Sequence, residues 1–249
     1  MTAQIPAHLL TIVMPNYNYA RYVADAIDSV IRQSYQPIEL IVVDDGSTDN
    51  SLEIIEQSLA RADKLFHTEV IAIGKNVGKL GAINRALGKI RGEYCIILDS
   101  DDRLLPDYAT KCITALAAAR EEQPRVAFVY TDCNLINAQG KAIDRGKSAP
   151  FDPLLLEQFS YIPEPAVVLS KAVIEAGPFD ESIKRGTKHH KWRRIVANGW
   201  RGVHLPEPLF CYRMHDSNLS GIGKRITTEV ESGQQGERIL SGYWPTEVH

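Results

Sequence analysis

Two acidic clusters of this 249-residue chain follow directly on apolar runs: Ile41-Val42-Val43 leads into Asp44-Asp45, and Cys95-Ile96-Ile97-Leu98 leads into Asp99-Ser100-Asp101-Asp102. A carboxylate behind a run of β-formers sits at the C-terminal end of a buried strand, the edge of an open α/β sheet where loops and helix N-termini meet ligands. Asp99 and Asp101 are one residue apart, so extended backbone through them would turn both side chains to one face. Such a pair suits a hard divalent cation, Mg2+ or Mn2+, that also takes phosphate oxygens. Alone, an Asp-x-Asp is far more often a polar turn capping the next helix. The same edge, however, also receives Pro15-Asn16-Tyr17-Asn18 behind the first apolar run and Lys79 at a helix start. Tyr17 could stack on a base, Asp44 could accept a base N–H, and Lys79 could meet a phosphate. Together these groups describe a nucleotide-diphosphate pocket better than a set of independent turns.

Such groups need strands to deliver them and helices to space the strands. Over residues 10–120, strand-like apolar runs alternate with stretches of helical period, the mark of parallel βαβ units. Leu10-Thr11-Ile12-Val13-Met14 reads as a first strand stopped by Pro15, and the next helix shows Val23, Ile27, Val30 and Ile31 on one face. A second strand ends at Asp44, and Ser47-Thr48-Asp49 offers capping oxygens to a helix with Leu52, Ile55 and Leu59 on its face. A third strand over 69–73 passes through Gly74-Lys75-Asn76-Val77-Gly78 into a helix carrying Leu80, Ile83, Leu87 and Ile90, and a fourth strand runs to Asp99. Beyond Gln123-Pro124 a strand over 126–130 precedes an irregular stretch from 139 to 165. A strand over 166–169, helices over 171–176 and 188–198, and strands around Val203 and Phe210 complete the pattern. The expected architecture is α/β, one Rossmann-like and mostly parallel sheet flanked by helices, forming a single domain over residues 1–220 with a polar tail over 221–249.

Composition narrows the function classes. Apolar residues at 44% and charged residues at 24% exclude disordered, collagenous and disulfide-scaffold chains. A net charge of -3 argues against nucleic-acid binding through a bulk positive field. Cys95, Cys112, Cys133 and Cys211 lack metal-type spacing and read as reduced core residues of a cytoplasmic protein. No stretch approaches the roughly 18 apolar residues of a membrane span, which leaves at most a peripheral contact with the inner face of a membrane.

At this level the chain resembles the inverting family 2 glycosyltransferases of GT-A fold. The resemblance is carried by Thr11-Ile12-Val13-Met14-Pro15-Asn16-Tyr17-Asn18, Val42-Val43-Asp44-Asp45-Gly46-Ser47-Thr48-Asp49, Asn76-Val77-Gly78 with Asn84, Leu98-Asp99-Ser100-Asp101-Asp102, Gly177-Pro178-Phe179-Asp180-Glu181 and Tyr212-Arg213-Met214-His215. These stretches run in family order over residues 11–220. The resemblance implies metal-dependent transfer of a hexose or N-acetylhexosamine from a nucleotide-diphospho-sugar, foremost a UDP-sugar, to a hydroxyl of a glycan or lipid-linked glycan. It implies a nucleotide-sugar-binding half over residues 10–120 and an acceptor-binding half over 121–220. Pro15, Tyr17 and Asp44 would contact the nucleotide's base, Asn18 would join them in binding the nucleotide, Lys79 would lie near it, and Asp99 would hold ribose or metal. Asp101 would be the metal ligand, and His215, with Arg213 beside it, would approach the metal or diphosphate.

One departure stands out. Inverting transfer needs a base for the acceptor's proton, supplied in the family by an acidic pair at the start of the helix after Gly-x-Phe-Asp-Glu. Those positions here are Thr187 and Lys188. Threonine cannot serve at neutral pH, and lysine could only if burial strongly depressed its pKa. His189 or His190 could substitute chemically, as could an acid such as Glu164 or Asp180. With Lys188, Lys191, Arg193 and Arg194 the histidines also read as a solvated cationic face, or as one that binds an anionic acceptor. The competing reading is a catalytically impaired nucleotide-sugar-binding protein. A sugar nucleotidyltransferase would carry a Gly-rich basic N-terminal loop, which Pro15-Asn16-Tyr17-Asn18 is not.

Overall fold

The computed structural model describes residues 4–218 and the strand at 237–239. In chain order the first half is β1 (Leu10–Asn16), α1 (Val23–Ile31), β2 (Ile38–Asp44), α2 (Ser51–Leu59), β3 (His67–Ala72), α3 (Lys79–Leu87), β4 (Tyr94–Ile97), β5 (Arg103–Leu104) and α4 (Tyr108–Glu122). The second half is β6 (Val126–Ile136), β7 (Ala142–Lys147), α5 (Pro153–Gln158), β8 (Ala166–Leu169), α6 (Ser170–Ala176), α7 (Thr187–Ala197), β9 (Arg201–Arg213) and β10 (Glu237–Ile239). β3, β2, β1 and β4 lie side by side and parallel, so the edge at their C-terminal ends collects residues 16–18, 44–47 and 98–102. β8 inserts antiparallel between β4 and β6, and β9 runs parallel along β6.

Strand alternation divides the core into two layers. Leu10, Ile12, Met14, Leu40, Val42 and Ile96 face α1, α2 and α4, whereas Val13, Ile41, Val43, Cys95 and Ile97 face α3, α6 and α7. Burying each such side chain contributes about 1.5–3 kcal/mol, so the paired apolar faces fix the register far more firmly than local propensity does. A buried polar pair reinforces it: Thr11 lies opposite Glu39, and its hydroxyl donates to that carboxylate.

Three stretches of the second half differ from the sequence expectation. β6 runs for 11 residues, past residue 130, because β9 pairs along its whole length. The stretch over 139–165 contains β7, paired with β6, and α5, whose N-cap Asp152 accepts from the Leu154 and Leu155 N–H groups. The strands expected around Val203 and Phe210 are one bent strand, accommodated by register shifts against β6. At Gly202 a Cβ would come within 2.1 Å of the Phe128 ring, which crosses the strand there. All four cysteines are buried and outside disulfides. Among the described residues no helix is long and apolar enough to cross a membrane. Tyr243, Trp244 and most of the expected tail lie outside the described residues.

Candidate functional site

The edge at which a nucleotide is expected is built by β1 and β2. Asn16 and Asp44 face each other at the strand ends, and the Asp44 carboxylate accepts from Asn16 Nδ2 (3.0 Å), Ser47 N (3.0 Å) and Ser47 Oγ (2.6 Å). Pro15 is buried in β1, Tyr17 is 41% exposed at the rim, and Asn18 takes a left-handed φ of 55° while its Oδ1 accepts from Thr48 N. Asp45 points the other way and accepts from Val77 N and Gly78 N, both at 2.8 Å. Gly46 permits this approach: its φ is +73° and a Cβ would stand 2.9 Å from the Lys75 carbonyl carbon. The 74–78 loop is thereby fastened to β2, and with it Lys79, the first residue of α3.

β4 ends at Ile97, and Asp102 N donates to Asp99 O across a turn. The turn, rather than the continued pleat expected for Asp99 and Asp101, brings carboxylate oxygens of Asp99, Asp101 and Asp102 within 4.8 Å of one another. Lys79 Nζ lies 2.6 Å from Asp99. From the far end of the chain His215 Nε2 reaches within 3.0 Å of Asp101 Oδ2, with Tyr19 and Tyr22 packed on the imidazole and Asn218 accepting from the His215 N–H. Burial, with Glu164 and Asp101 adding to it against Lys79, lifts the Asp99 pKa to about 6, and burial beside Asp101 and Asp99 pushes Asp102 well above its ordinary range. Asp102 Oδ2 has no hydrogen-bond partner among the described residues. Crowded carboxylates with an open oxygen are a donor set that fits a hard divalent cation. Arg213, expected at a diphosphate, has a buried guanidinium directed elsewhere: Nε donates to Asp101 O (2.7 Å), Nη2 pairs with Asp25, and the group lies over the Tyr22 ring. It braces the Asp101 turn, because β9 ends directly behind it.

α7 and its approach complete the site. Asn84 pairs through both amide atoms with the backbone of Phe179 and also donates to Glu181, so the 177–181 stretch is pinned to α3. The two histidines offered as substitute bases do not join the acidic edge. His189 Nε2 is taken up by the Leu156 carbonyl at 2.6 Å, and His190 packs edge-on to Phe179 with Nε2 toward the Asp180 N–H. Burial lowers the pKa of both. Helical geometry explains the miss: Lys188 and Lys191, not 189 and 190, share the face turned to the acidic edge. Lys191 Nζ lies 2.8 Å from Glu164 Oε1, and Lys79 lies 3.4 Å from Glu164 Oε2. Burial would raise the Glu164 pKa, but Lys191 and then Lys79 overcome it and hold it at about 2. Burial, opposed by Glu164 and aided by Lys79, lowers the Lys188 amine to about 7.

Comparison with known proteins identifies the family. Residues 11–154 match the family model described as Glycosyl transferase family 2. The chain belongs to this family. The glycosyltransferase is 28% identical to an uncharacterized glycosyltransferase of Nostoc sp. (strain PCC 7120), over 91% of this chain and 71% of that protein. Its fold is shared with S. aureus TarS, crystallised with UDP-GlcNAc (TM-score 0.63, 20% identity, 84% of this chain and 59% of that one). It is also shared with the mannosyltransferase PcManGT of Pyrobaculum calidifontis, solved with GDP-Man and Mn2+ (TM-score 0.63, 18% identity, 94% of this chain and 66% of that one). At such identities the two structures speak for the fold alone, and both are longer than this chain.

In this glycosyltransferase the sequence reading of the site omitted Asp102, Tyr19 and Asn218, and ranked Glu164 no higher than Asp180. Asp102 was visible in the same acidic run, but only the turn makes it a third carboxylate. Glu164 carried a usable signal, an acid between two prolines directly before an apolar strand. The family match ends at residue 154, ahead of Glu164 and α7.

Proposed function

We propose that this glycosyltransferase is metal-dependent and inverting, moving a hexose or N-acetylhexosamine from a UDP-sugar to a hydroxyl of a glycan or lipid-linked glycan. The observation that carries the reading is the convergence of Asp99, Asp101 and Asp102 within 4.8 Å, with Lys79 and His215 against two of them. Asp99 and Asp101 would hold Mn2+ or Mg2+, with His215 beside them, and the ion would neutralise the departing diphosphate. Lys79 adds positive charge on the same side. Tyr17 is exposed enough to stack on the base, and Asn16 Oδ1, buried with no partner among the described residues, offers an acceptor to a base N–H beside Asp44. Support also comes from the fold relatives, one crystallised with UDP-GlcNAc and the other with GDP-Man and Mn2+.

The test is calorimetric titration of UDP, GDP and CDP, with and without Mn2+, on the wild type and on Asp101→Ala. The expected result is one nucleotide, UDP, whose affinity falls by about tenfold or more (1.4 kcal/mol) when either the metal or Asp101 is removed. Nucleotide binding that ignores both would overturn the metal-dependent reading. Thr187 and Lys188 at the family's acidic pair favour one rival, a module that binds sugar nucleotide without turning it over. Slow hydrolysis of bound donor separates the two, since a silent module returns it intact.

A further inference from the structure

We infer that Glu164, reaching the site from the loop before β8, is the carboxylate that takes the proton from the acceptor hydroxyl, replacing the acidic pair absent from α7. The inference rests on the transferase reading above. Glu164 is 5% exposed and belongs to the Pro163-Glu164-Pro165 stretch, whose backbone is held on both sides. Trp192 Nε1 donates to the Pro163 carbonyl (3.0 Å), and the Tyr108 hydroxyl donates to the Pro165 carbonyl (2.7 Å). The carboxylate is thus positioned by two buried aromatic donors from opposite layers of the fold. Its two oxygens differ. Oε1 accepts from Lys191 Nζ, whereas Oε2 has no hydrogen-bond partner among the described residues, although Lys79 Nζ stands 3.4 Å away. That same ammonium contacts Asp99 at 2.6 Å, so a single lysine separates Oε2 from the acidic edge.

The other candidates are engaged or remote. Asp180 is exposed and its Oδ1 accepts from the Ser182 N–H and hydroxyl. His189 is taken up by a carbonyl, and His190 packs on Phe179. The cationic residue at 188 then has a physical reason. A carboxylate there would face Glu164 as a second buried anion, whereas a lysine joins Lys79 and Lys191 in the charge field around it. Acid and cation have in effect exchanged elements. Paired with lysines, Glu164 stays ionised at every physiological pH and so is always able to accept. The basicity lost is tolerable, because the acceptor proton becomes acidic as its oxygen bonds to carbon.

In the step, the acceptor oxygen bonds to the anomeric carbon of the donor while the bond from that carbon to the diphosphate oxygen breaks. The bonding pair leaves with the nucleoside diphosphate. The hydroxyl proton moves to Glu164 Oε2 and from there to water.

Two nucleophiles test this without an identified acceptor. Water must lose a proton on attack; azide has none to lose. UDP-glucose, UDP-N-acetylglucosamine and GDP-mannose, each with Mn2+, are offered to the wild type, Glu164→Gln and Glu164→Asp, and nucleotide release and glycosyl azide are measured beside donor affinity and melting temperature. Glu164→Asp keeps the counter-charge for the lysines while withdrawing the carboxylate, so a folding defect of the Gln variant is separable. Both variants are expected to bind the donor within about 3-fold of wild type, to hydrolyse it at least about 100-fold more slowly, and to form glycosyl azide within about 5-fold of wild type. Unchanged hydrolysis, or loss of water and azide reactions together, would overturn the assignment and leave Glu164 a partner of lysines. A wild type that binds no sugar nucleotide would sink the transferase reading and this one with it. A wild type that binds donor but turns over neither nucleophile would sink the base assignment alone.

Discussion

Glu39 and Glu164 are both buried carboxylates paired with cations, yet their oxygens are used differently. Glu39 lies at the foot of β2, where Oε1 accepts from the Thr11 hydroxyl and Arg91 N, and Oε2 from Arg91 Nε (2.8 Å) and Nη2. Every oxygen is occupied, and every partner belongs to the sheet or to the turn entering β4. Glu164 keeps one oxygen open beside three lysines. Asp45 resembles Glu39 in this respect, with both oxygens spent on the 74–78 loop, and Asp102 resembles Glu164. A saturated buried carboxylate fixes chain segments. An unsaturated one, held in place at a desolvation cost, is a group with something still to bind.

The largest effect that could break the comparison is at Glu39. Glu39→Gln puts an amide N–H2 among donors and leaves hydrogen bonds unmade in a fully buried place, a cost on the order of 3 kcal/mol. For a domain of this size that lowers the melting temperature by about 10 °C. Donor hydrolysis per folded molecule should stay at the wild-type rate. Calorimetric melting alongside the hydrolysis assay checks both, and hydrolysis lost in step with Glu164→Gln would erase the distinction between the two glutamates.

Asp45 gives a smaller effect that sharpens the same contrast. Asp45→Asn keeps one acceptor for two backbone N–H groups, so one of Val77 N or Gly78 N loses its partner at a cost of about 1–2 kcal/mol. Because Gly78 directly precedes Lys79, slack in this loop should also weaken UDP binding in the presence of Mn2+ several-fold, by less than Asp101→Ala does. A melting shift with unchanged affinity would show that Lys79 is placed by α3 alone.

The sequence made legible what depends on period and order, and left obscure what depends on turns and long-range contact. The four parallel strands and the faces of α1 to α3 follow from alternation and helical spacing, and the structure has them near the expected places, except that α3 stops at Leu87, short of Ile90. Asp44, Lys79, Asp99 and Asp101 were readable as one edge because each follows a strand or opens a helix. The convergence of Asp102 with them depends on a turn after Ile97 that a two-residue period misreads. Arg213 could be placed beside His215 by sequence, but not its engagement with Asp25, which lies 188 residues earlier. Glu164 depends on tertiary contact for both its location and its charge. Pattern gives its neighbours Pro163 and Pro165, while Lys79, Tyr108 and the adjacent pair Lys191 and Trp192 come from three other places in the chain.

The smallest expected effect concerns the cation at the exchanged position. In the folded chain the Lys188 amine titrates at about 7, against 10.5 for an ordinary lysine, with burial as the main cause. Between these values the unfolded chain holds the proton more tightly than the folded one, so stability must rise with pH across that window. Below pH 7 both states are protonated and the cost of the buried charge is fully present. Lys188→Met removes the titration, so the melting temperature of wild type minus variant should climb by a few degrees from pH 7 to 8.5. Cys95 and Cys112, whose thiols burial raises to about 12, occur in both proteins and cancel in the difference. Parallel curves would mean that the amine keeps its charge without penalty when folded. The charge exchange between 188 and 164 would then be balanced already in the resting protein, and Glu164 would look more like Glu39 than its open oxygen suggests.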